Sequence, residues 1–327
     1  AAINLRIAVE ARPSSNGLIH VEMPDIGERH CISPNDRQLY EGKRDYLRSC
    51  VAVLQRRGLR WSRGYHVRIH GDIPINAGVS SSSALVVMWL RFLANAADEP
   101  LGASPEDFAR LGHEAEVLEF GEPGGMMDHF CAALGGVLFI DTTPPYAAQR
   151  LSTSLEGIVL GNSLEPKATI ETLARVRSEV AEGVRLVKTK MPSFDLAKTA
   201  LDDVVPLLNG LSHTVARRLR ANLINRELTA QAQAALDEND LSKMGRLLLA
   251  HHEQLRDGLD LSTPKIERML NAALDAGAVG GKINGSGGGG CMFAYAPGSE
   301  EAVAEAIRRA GGVPYIVSVA DGVSPTS

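Results

Sequence analysis

Three short stretches of this chain carry residues suited to handling phosphate. The first is Ile73-Pro-Ile-Asn-Ala-Gly-Val-Ser-Ser-Ser-Ser-Ala-Leu85, which follows a strand-like segment and leads into an amphipathic helix. A helix start offers unpaired backbone N–H groups and about half a positive charge, so it attracts anions. Small residues let phosphate oxygens approach the backbone, and hydroxyls can ligate Mg2+. No Gly-Lys-Ser/Thr follows, so this is not the Walker pattern. The same serines also read as a plain Ser-rich helix cap.

The second stretch is Gly121-Glu-Pro-Gly-Gly-Met-Met-Asp-His129. A hydroxyl that accepts a phosphoryl group must lose its proton, and Asp128, just beyond a Pro-Gly-Gly turn, could take it. Glu116, upstream near a helix end, is a candidate Mg2+ ligand, since Mg2+ is held by one or two carboxylates plus phosphates and water. The alternatives are a helix N-cap for Asp128 and a solvated helical charge for Glu116. The third stretch is Gly280-Gly-Lys-Ile-Asn-Gly-Ser-Gly-Gly-Gly-Gly-Cys291, between two apolar strand-like segments. Consecutive glycines lose backbone entropy and offer no side-chain packing, so they suit a backbone that must hug something, or a flexible hairpin. His251-His252 beside Glu253 reads as a solvated helix face rather than a metal site, Trp61 and Trp89 as packing residues, and Lys167 as a surface lysine at a helix start.

The elements that must hold these stretches follow from periodicity. Ile3–Val9, Leu18–Met23 and His66–His70 alternate as half-buried strands do, and Arg44–Arg57 reads as a helix. Ser81–Ala96 is a helix with Leu85, Met88, Trp89 and Phe92 on one face. Ser104 caps the next helix, with Pro105 at its first position, Glu106 and Asp107 in its first turn and Gly121 as its stop. Gly136–Asp141 and Gly157–Asn162 read as strands. Helices are expected over roughly Lys167–Lys188, Thr214–Leu236, Leu241–Leu255 and Pro264–Ala276. Strand Ala278–Asn284, strand Cys291–Ala296, helix Ser299–Ala310 and strand Val313–Val319 close the chain in an order that suits an α+β sandwich.

The 327 residues suggest two domains, placed at 1–155 and 156–327. With 44% hydrophobic and 22% charged residues, both can bury cores. A net charge of −5 speaks against a nucleic-acid partner. The four cysteines are far apart and form no C-x-x-C pair, so reduced, mostly buried thiols and a cytoplasmic setting are expected. No run of about 18 apolar residues marks a membrane span, and no signal peptide is visible. The chain opens at Ala1 without Met, and native residues are expected to precede it.

Taken in order, Pro-x-x-x-Gly-x-Ser-Ser-Ser, Gly-x-Pro-Gly-Gly-x-Met-Asp and Gly-x-Gly-Gly-Gly-Gly-Cys make the chain resemble the GHMP kinase family, and within it the galactokinase branch. Met127-Asp128-His129 and Asn162-Ser163-Leu164 are similar to galactokinase segments, and Ala1–Leu5 resembles heptose- and fucose-type kinases. The likeness spans about residues 3 to 320. It implies an S5-like N-terminal domain and a ferredoxin-like C-terminal α/β sandwich with the active site between them. ATP and Mg2+ are the implied cofactors, and a small-molecule sugar the implied substrate of a monomer or homodimer. Asn76, Ala77, Gly78, Val79, Ser80, Ser81, Ser82 and Ser83 would wrap the ATP phosphates. Ser82 and Glu116 would hold the metal, and Asp128 would act on the sugar hydroxyl with Gly125 beside the substrate. Gly285, Ser286, Gly287, Gly288 and Gly289 would brace the phosphate loop. The family's N-terminal motif, which carries sugar contacts and a basic residue, is expected upstream of Ala1. His129 stands where galactokinases usually have Gln, which points to a changed sugar preference. The alternatives are a family member acting on a mevalonate-like or amino-acid alcohol, and a non-catalytic sugar or nucleotide sensor.

Overall fold

A computed structural model describes residues 1–122, 124–153, 155–166, 169–285 and 287–324. The chain divides into two compact units. The first comprises Ala1–Pro74, Ser80–Arg150 and Val319–Ser327; the second comprises Ile75–Val79 and Leu151–Ser318.

In the first unit, β1 (Ile7–Ser14), β2 (Ile19–Met23), β3 (Glu28–Ile32), α1 (Tyr46–Gln55) and β4 (Gly64–Gly71) come first in the chain. The strands form one sheet in the order β1-β4-β2-β3, with β2 and β4 parallel and the other pairs antiparallel. Alternation decides the buried face: Ile19, Val21, Val67 and Ile69 all point into the core. β1 starts four residues later than its apolar pattern suggests. Its partner β4 ends at Gly71 opposite Ile7, and Ile3 instead bridges Val319. β3 escapes sequence reading because only Ile32 of Glu-Arg-His-Cys-Ile is buried.

Helices α2 (Ser81–Ala96) and α3 (Pro105–His113) follow, then a π-helical turn (Glu114–Leu118), helix α4 (Met127–Leu134) and the hairpin of β5 (Leu138–Asp141) and β6 (Ala147–Arg150). α3 begins with a full capping box between Ser104 and Asp107. α2 runs through the core, where Val86, Val87, Trp89, Leu90 and Leu93 are fully covered. Both tryptophans serve packing, as expected. Trp89 Nε1 donates to the Leu47 carbonyl at 3.1 Å, and Trp61 Nε1 to the Leu93 carbonyl at 2.9 Å.

The second unit continues with β7 (Ile158–Asn162), α5 (Thr169–Lys190), α6 (Leu201–Leu208), α7 (His213–Asp237), α8 (Leu241–Glu253), a second π-helical turn (Gln254–Gly258), α9 (Pro264–Asp275), β8 (Gly280–Ile283), β9 (Cys291–Tyr295), α10 (Glu300–Arg309) and β10 (Val313–Val317). The sheet order is β10-β7-β9-β8, antiparallel throughout. With α5–α8 set aside as an insertion, this is the β-α-β-β-α-β arrangement of ferredoxin-like sandwiches. Ile266, Met269, Leu270, Val303 and Ile307 of α9 and α10 fill its core. α8 and β8 approach backbone to backbone: a Cβ on Gly280 would lie 2.2 Å from the Gly245 carbonyl oxygen.

One sequence reading fails here. His252 is buried rather than solvated. Its Nε2 meets Glu267 Oε1 at 2.8 Å, and its Nδ1 accepts the Ile283 N–H at 3.2 Å. All four cysteines are free thiols, Cys50 and Cys291 buried and Cys31 exposed. Among the described residues, no helix is long and apolar enough to cross a membrane. Lys167 lies outside the described residues.

Candidate active site

The loop Ile75–Val79 packs within the second unit. Its backbone takes positive φ at Asn76 (56°) and at Gly78 (78°), a conformation that side chains resist. Asn284, the residue before the glycine ribbon, holds it: Nδ2 donates to the Gly78 carbonyl at 2.7 Å. The ribbon itself is a close-packing device. A Cβ on Gly290 would sit 2.6 Å from the Ala77 carbonyl oxygen, and one on Gly289 2.9 Å from that of Pro166. The Gly288 N–H donates to Leu261 O at 2.7 Å and the Gly290 N–H to Glu165 O at 3.2 Å. Those two amides are therefore taken by protein carbonyls. Of the two readings of the ribbon, the backbone that hugs another is the one observed; Ser286 lies outside the described residues.

In the first unit, Ser80 stands at the N-cap of α2 with φ 62° and makes no side-chain cap bond. The serine run is therefore no ordinary cap, and that leaves first-turn N–H groups without a side-chain acceptor. Ser82 and Ser83 lie near enough to Glu116 for their hydroxyls to help hold its carboxyl ionised.

Glu116 sits in the π-helical turn that widens the end of α3. Such turns recur at functional sites because they re-aim side chains. Arginines pin this one from outside: Arg57 to Glu114 at 2.6 Å, and Arg56 to Glu114 at 3.0 Å and to Glu119 at 2.5 Å. Glu116 is only 8% exposed, so it is no solvated helical charge. Burial by itself would raise its pKa, but the contacts with His129, Ser82 and Ser83 outweigh that and hold the carboxyl below its ordinary range. Nearby, burial and the Glu116 charge push the Tyr46 phenol up to about 12.

His129, on α4, brings Nε2 to 2.7 Å from Glu116 Oε2, and its ring is 2% exposed. Despite that approach, neither atom completes a hydrogen bond of ordinary direction, and His129 Nδ1 has no partner among the described residues. Asp128 is half-buried in the first turn of α4. The N-cap there is Met126, so Asp128 does not cap the helix. A Cβ on Gly125 would meet open space.

The predicted residues thus fall into two groups. Ser82, Ser83 and Glu116 meet in the first unit, with Asp128 next along the chain from His129. Asn76, Ala77, Gly78 and Val79 belong to the second, where Ala77 lies against Gly290 and the Gly78 carbonyl accepts from Asn284. The sequence reading singles out His129 for sugar preference, not as a neighbour of Glu116. It gives no role to Tyr46 or to Asn284, although Asn284 stands directly before the ribbon.

Comparison with known proteins now adds the family. Residues 45–136 match the model of the GHMP kinases N terminal domain, and residues 232–313 that of the GHMP kinases C terminal. The chain belongs to the GHMP kinases. It is accordingly a small-molecule kinase, and ATP is the phosphate donor of that family. This GHMP kinase is 32% identical over 330 residues to the mevalonate kinase of Pyrococcus horikoshii, covering 98% of this chain and 88% of that protein. It is 30% identical over 308 residues to the galactokinase of Haemophilus influenzae, covering 90% and 78%. The crystal structure of Lactococcus lactis galactokinase complexed with galactose superposes on it with a TM-score of 0.82 at 21% identity, covering 98% of this chain and 87% of that one. The last likeness concerns the fold alone.

Proposed function

We propose that this GHMP kinase transfers the γ-phosphate of ATP to a sugar hydroxyl, the anomeric 1-OH of galactose or a related sugar. The observation that carries the reading is a buried carboxylate, held ionised near two serines at an uncapped helix start, with the half-buried Asp128 close by in the chain. Residues 1–155 would form the N-terminal kinase domain and residues 156–327 the C-terminal one.

Asp128 takes the proton of the sugar hydroxyl. The oxygen then bonds to the γ-phosphorus in line as the bond to the β-phosphate oxygen breaks, and ADP leaves. The loop Asn76–Val79 and Ser80–Ser83 would cradle the phosphates, with Ala77 and Gly78 braced by Gly290 and Asn284 at the ends of the glycine ribbon, while Gly125 leaves room beside Asp128. Positioning and charge stabilisation supply most of the rate. Mg2+ fits the donor set: Ser82 and Glu116 offer hard oxygen ligands, and the buried Glu116 Oε2 lacks a well-directed hydrogen bond. When bound, the ion neutralises charge on the phosphates.

The galactokinase relative and the Met127-Asp128-His129 segment support a sugar. The mevalonate kinase relative, alike over nearly the whole chain, supports a second reading in which mevalonate is the acceptor. A coupled ADP-release assay over a panel of sugars and mevalonate separates them. Turnover with a sugar alone supports the first reading, and turnover with mevalonate alone overturns it.

A further inference from the structure

We infer that His129 is a positioning residue for the metal-binding carboxylate, and that Gly112 exists to admit its ring. The inference rests on Glu116 being the metal ligand of the proposed reaction.

Three observations converge on it. First, the residue whose identity suggested a changed sugar preference does not face outward. Its ring is buried, with Nε2 at 2.7 Å from Glu116 Oε2 and the His113 ring edge-on to it, 5.8 Å between centroids. Second, the ring lies over a gap in α3. A Cβ on Gly112 would meet His129 Cδ2 at 2.9 Å and Val87 Cγ2 at 3.1 Å. Glycine inside a helix costs about 1 kcal/mol relative to alanine, so its presence at that position needs a compensating reason. Room for an imidazole between α2, α3 and α4 is such a reason. Third, the groups that lower the Glu116 pKa are the His129 imidazole and the Ser82 and Ser83 hydroxyls. No lysine or arginine ion pair reaches Glu116 among the described residues, and a carboxylate neutralised by one would bind a cation poorly. An imidazole orients the group while leaving its charge available.

His129 therefore fixes the carboxylate rotamer that faces Ser82, as outer groups fix metal ligands generally. Glutamine could do the same work with its side-chain amide, whereas leucine fills the space without a polar contact.

The test uses the full chain and titrates ADP by calorimetry, once with saturating Mg2+ and once with EDTA. We expect His129→Leu to weaken ADP binding about 10-fold or more in Mg2+ and to leave metal-free binding unchanged. His129→Gln should stay within about 3-fold of the native protein in both. Gly112→Ala, which pushes on the ring, should weaken only the Mg2+-dependent binding, and by less. The KM for the acceptor should not move in any variant. Equal losses with and without metal in His129→Leu and Gly112→Ala would mean a merely structural residue and overturn the inference. So would a His129→Leu protein that binds Mg2+·ADP like the native one. Should His129→Leu fail to fold, a His129→Gln protein that loses its Mg2+ dependence overturns it equally. A native protein whose ADP binding ignores Mg2+ removes the metal-ligand reading of Glu116 and the inference with it. Absence of sugar turnover with Mg2+ dependence intact touches only the choice of substrate.

Discussion

Each unit contains a buried histidine against a glutamate beside a π-helical turn, and the two pairs differ in how completely they are satisfied. In the second unit, His252 meets Glu267 at 2.8 Å, and its other nitrogen accepts the Ile283 N–H. Glu267 also accepts from the Ser262 hydroxyl and pairs with Arg256 at 3.3 Å. Every polar atom has a protein partner, so the network is closed. In the first unit, His129 meets Glu116 at a similar distance, but Nδ1 is unpartnered and Glu116 Oε2 lacks a well-directed hydrogen bond. Buried polar groups are normally satisfied, and an exception calls for a reason. A closed pair is architecture; an open one is a place prepared for something else.

The largest expected effect falls beside the open pair. Asp128→Asn should lower turnover by about 10²–10⁴-fold in the ADP-release assay with the melting temperature almost unchanged, since general-base removal acts on chemistry and not on packing. The closed pair should respond the opposite way. His252→Leu leaves the Ile283 N–H and the Glu267 carboxylate short of partners, which should cost about 2–4 kcal/mol in denaturant unfolding while the kcat of the folded protein holds. A loss of kcat there, or of stability in Asp128→Asn, would break the contrast.

Acid should sharpen it further. Burial, with smaller contributions from Lys282 and His252, lowers the His251 pKa to about 4, and burial also lowers that of His252. These rings fold neutral, so the unfolded chain binds more protons below its own value of about 6.5. The stability they contribute is complete above about pH 6.5 and drains away as pH falls toward 4, by about 1–2 kcal/mol after allowance for partial exposure. Unfolding followed between pH 7 and 4.5 reads this, and a flat profile would contradict it. The smallest effect belongs to Lys282. Burial brings this amine down to about 8, and its Nζ donates to Ile283 O at 2.9 Å. The folded state disfavours the charged amine, so stability should rise as pH climbs from about 8 toward 10.5. Lys282→Met should therefore stabilise the chain at pH 7 by about 1 kcal/mol.

Much of this was legible in the residues. The capping box of α3, the apolar face of α2 and the closing β-β-α-β run follow from local rules, and the close backbone packing of the glycine ribbon follows from its composition. What stayed hidden was set by tertiary contacts. β3 is mostly polar because it lies at a sheet edge, and α4 is short and starts without a side-chain cap. His252 looked solvated because its partners lie 15 and 31 residues away. His129 could be seen as unusual, but its direction depends on a vacancy in another helix, at Gly112. The loop Ile75–Val79 reads as one motif with Ser80–Ser83, yet it packs with the second unit.

The π-helical turn at Glu114–Leu118 has a consequence of its own. It amounts to a single surplus residue at the end of an otherwise regular helix, and each residue turns a helix by about 100°. Deleting Val117 would let the coil close up neatly and gain regularity. It would also change the bearing of whatever lies before or after the excision, and Glu116 could not keep its alignment with both the serines and the imidazole. The irregularity is thus the aiming device of the site, and a tidier backbone would be a blind one.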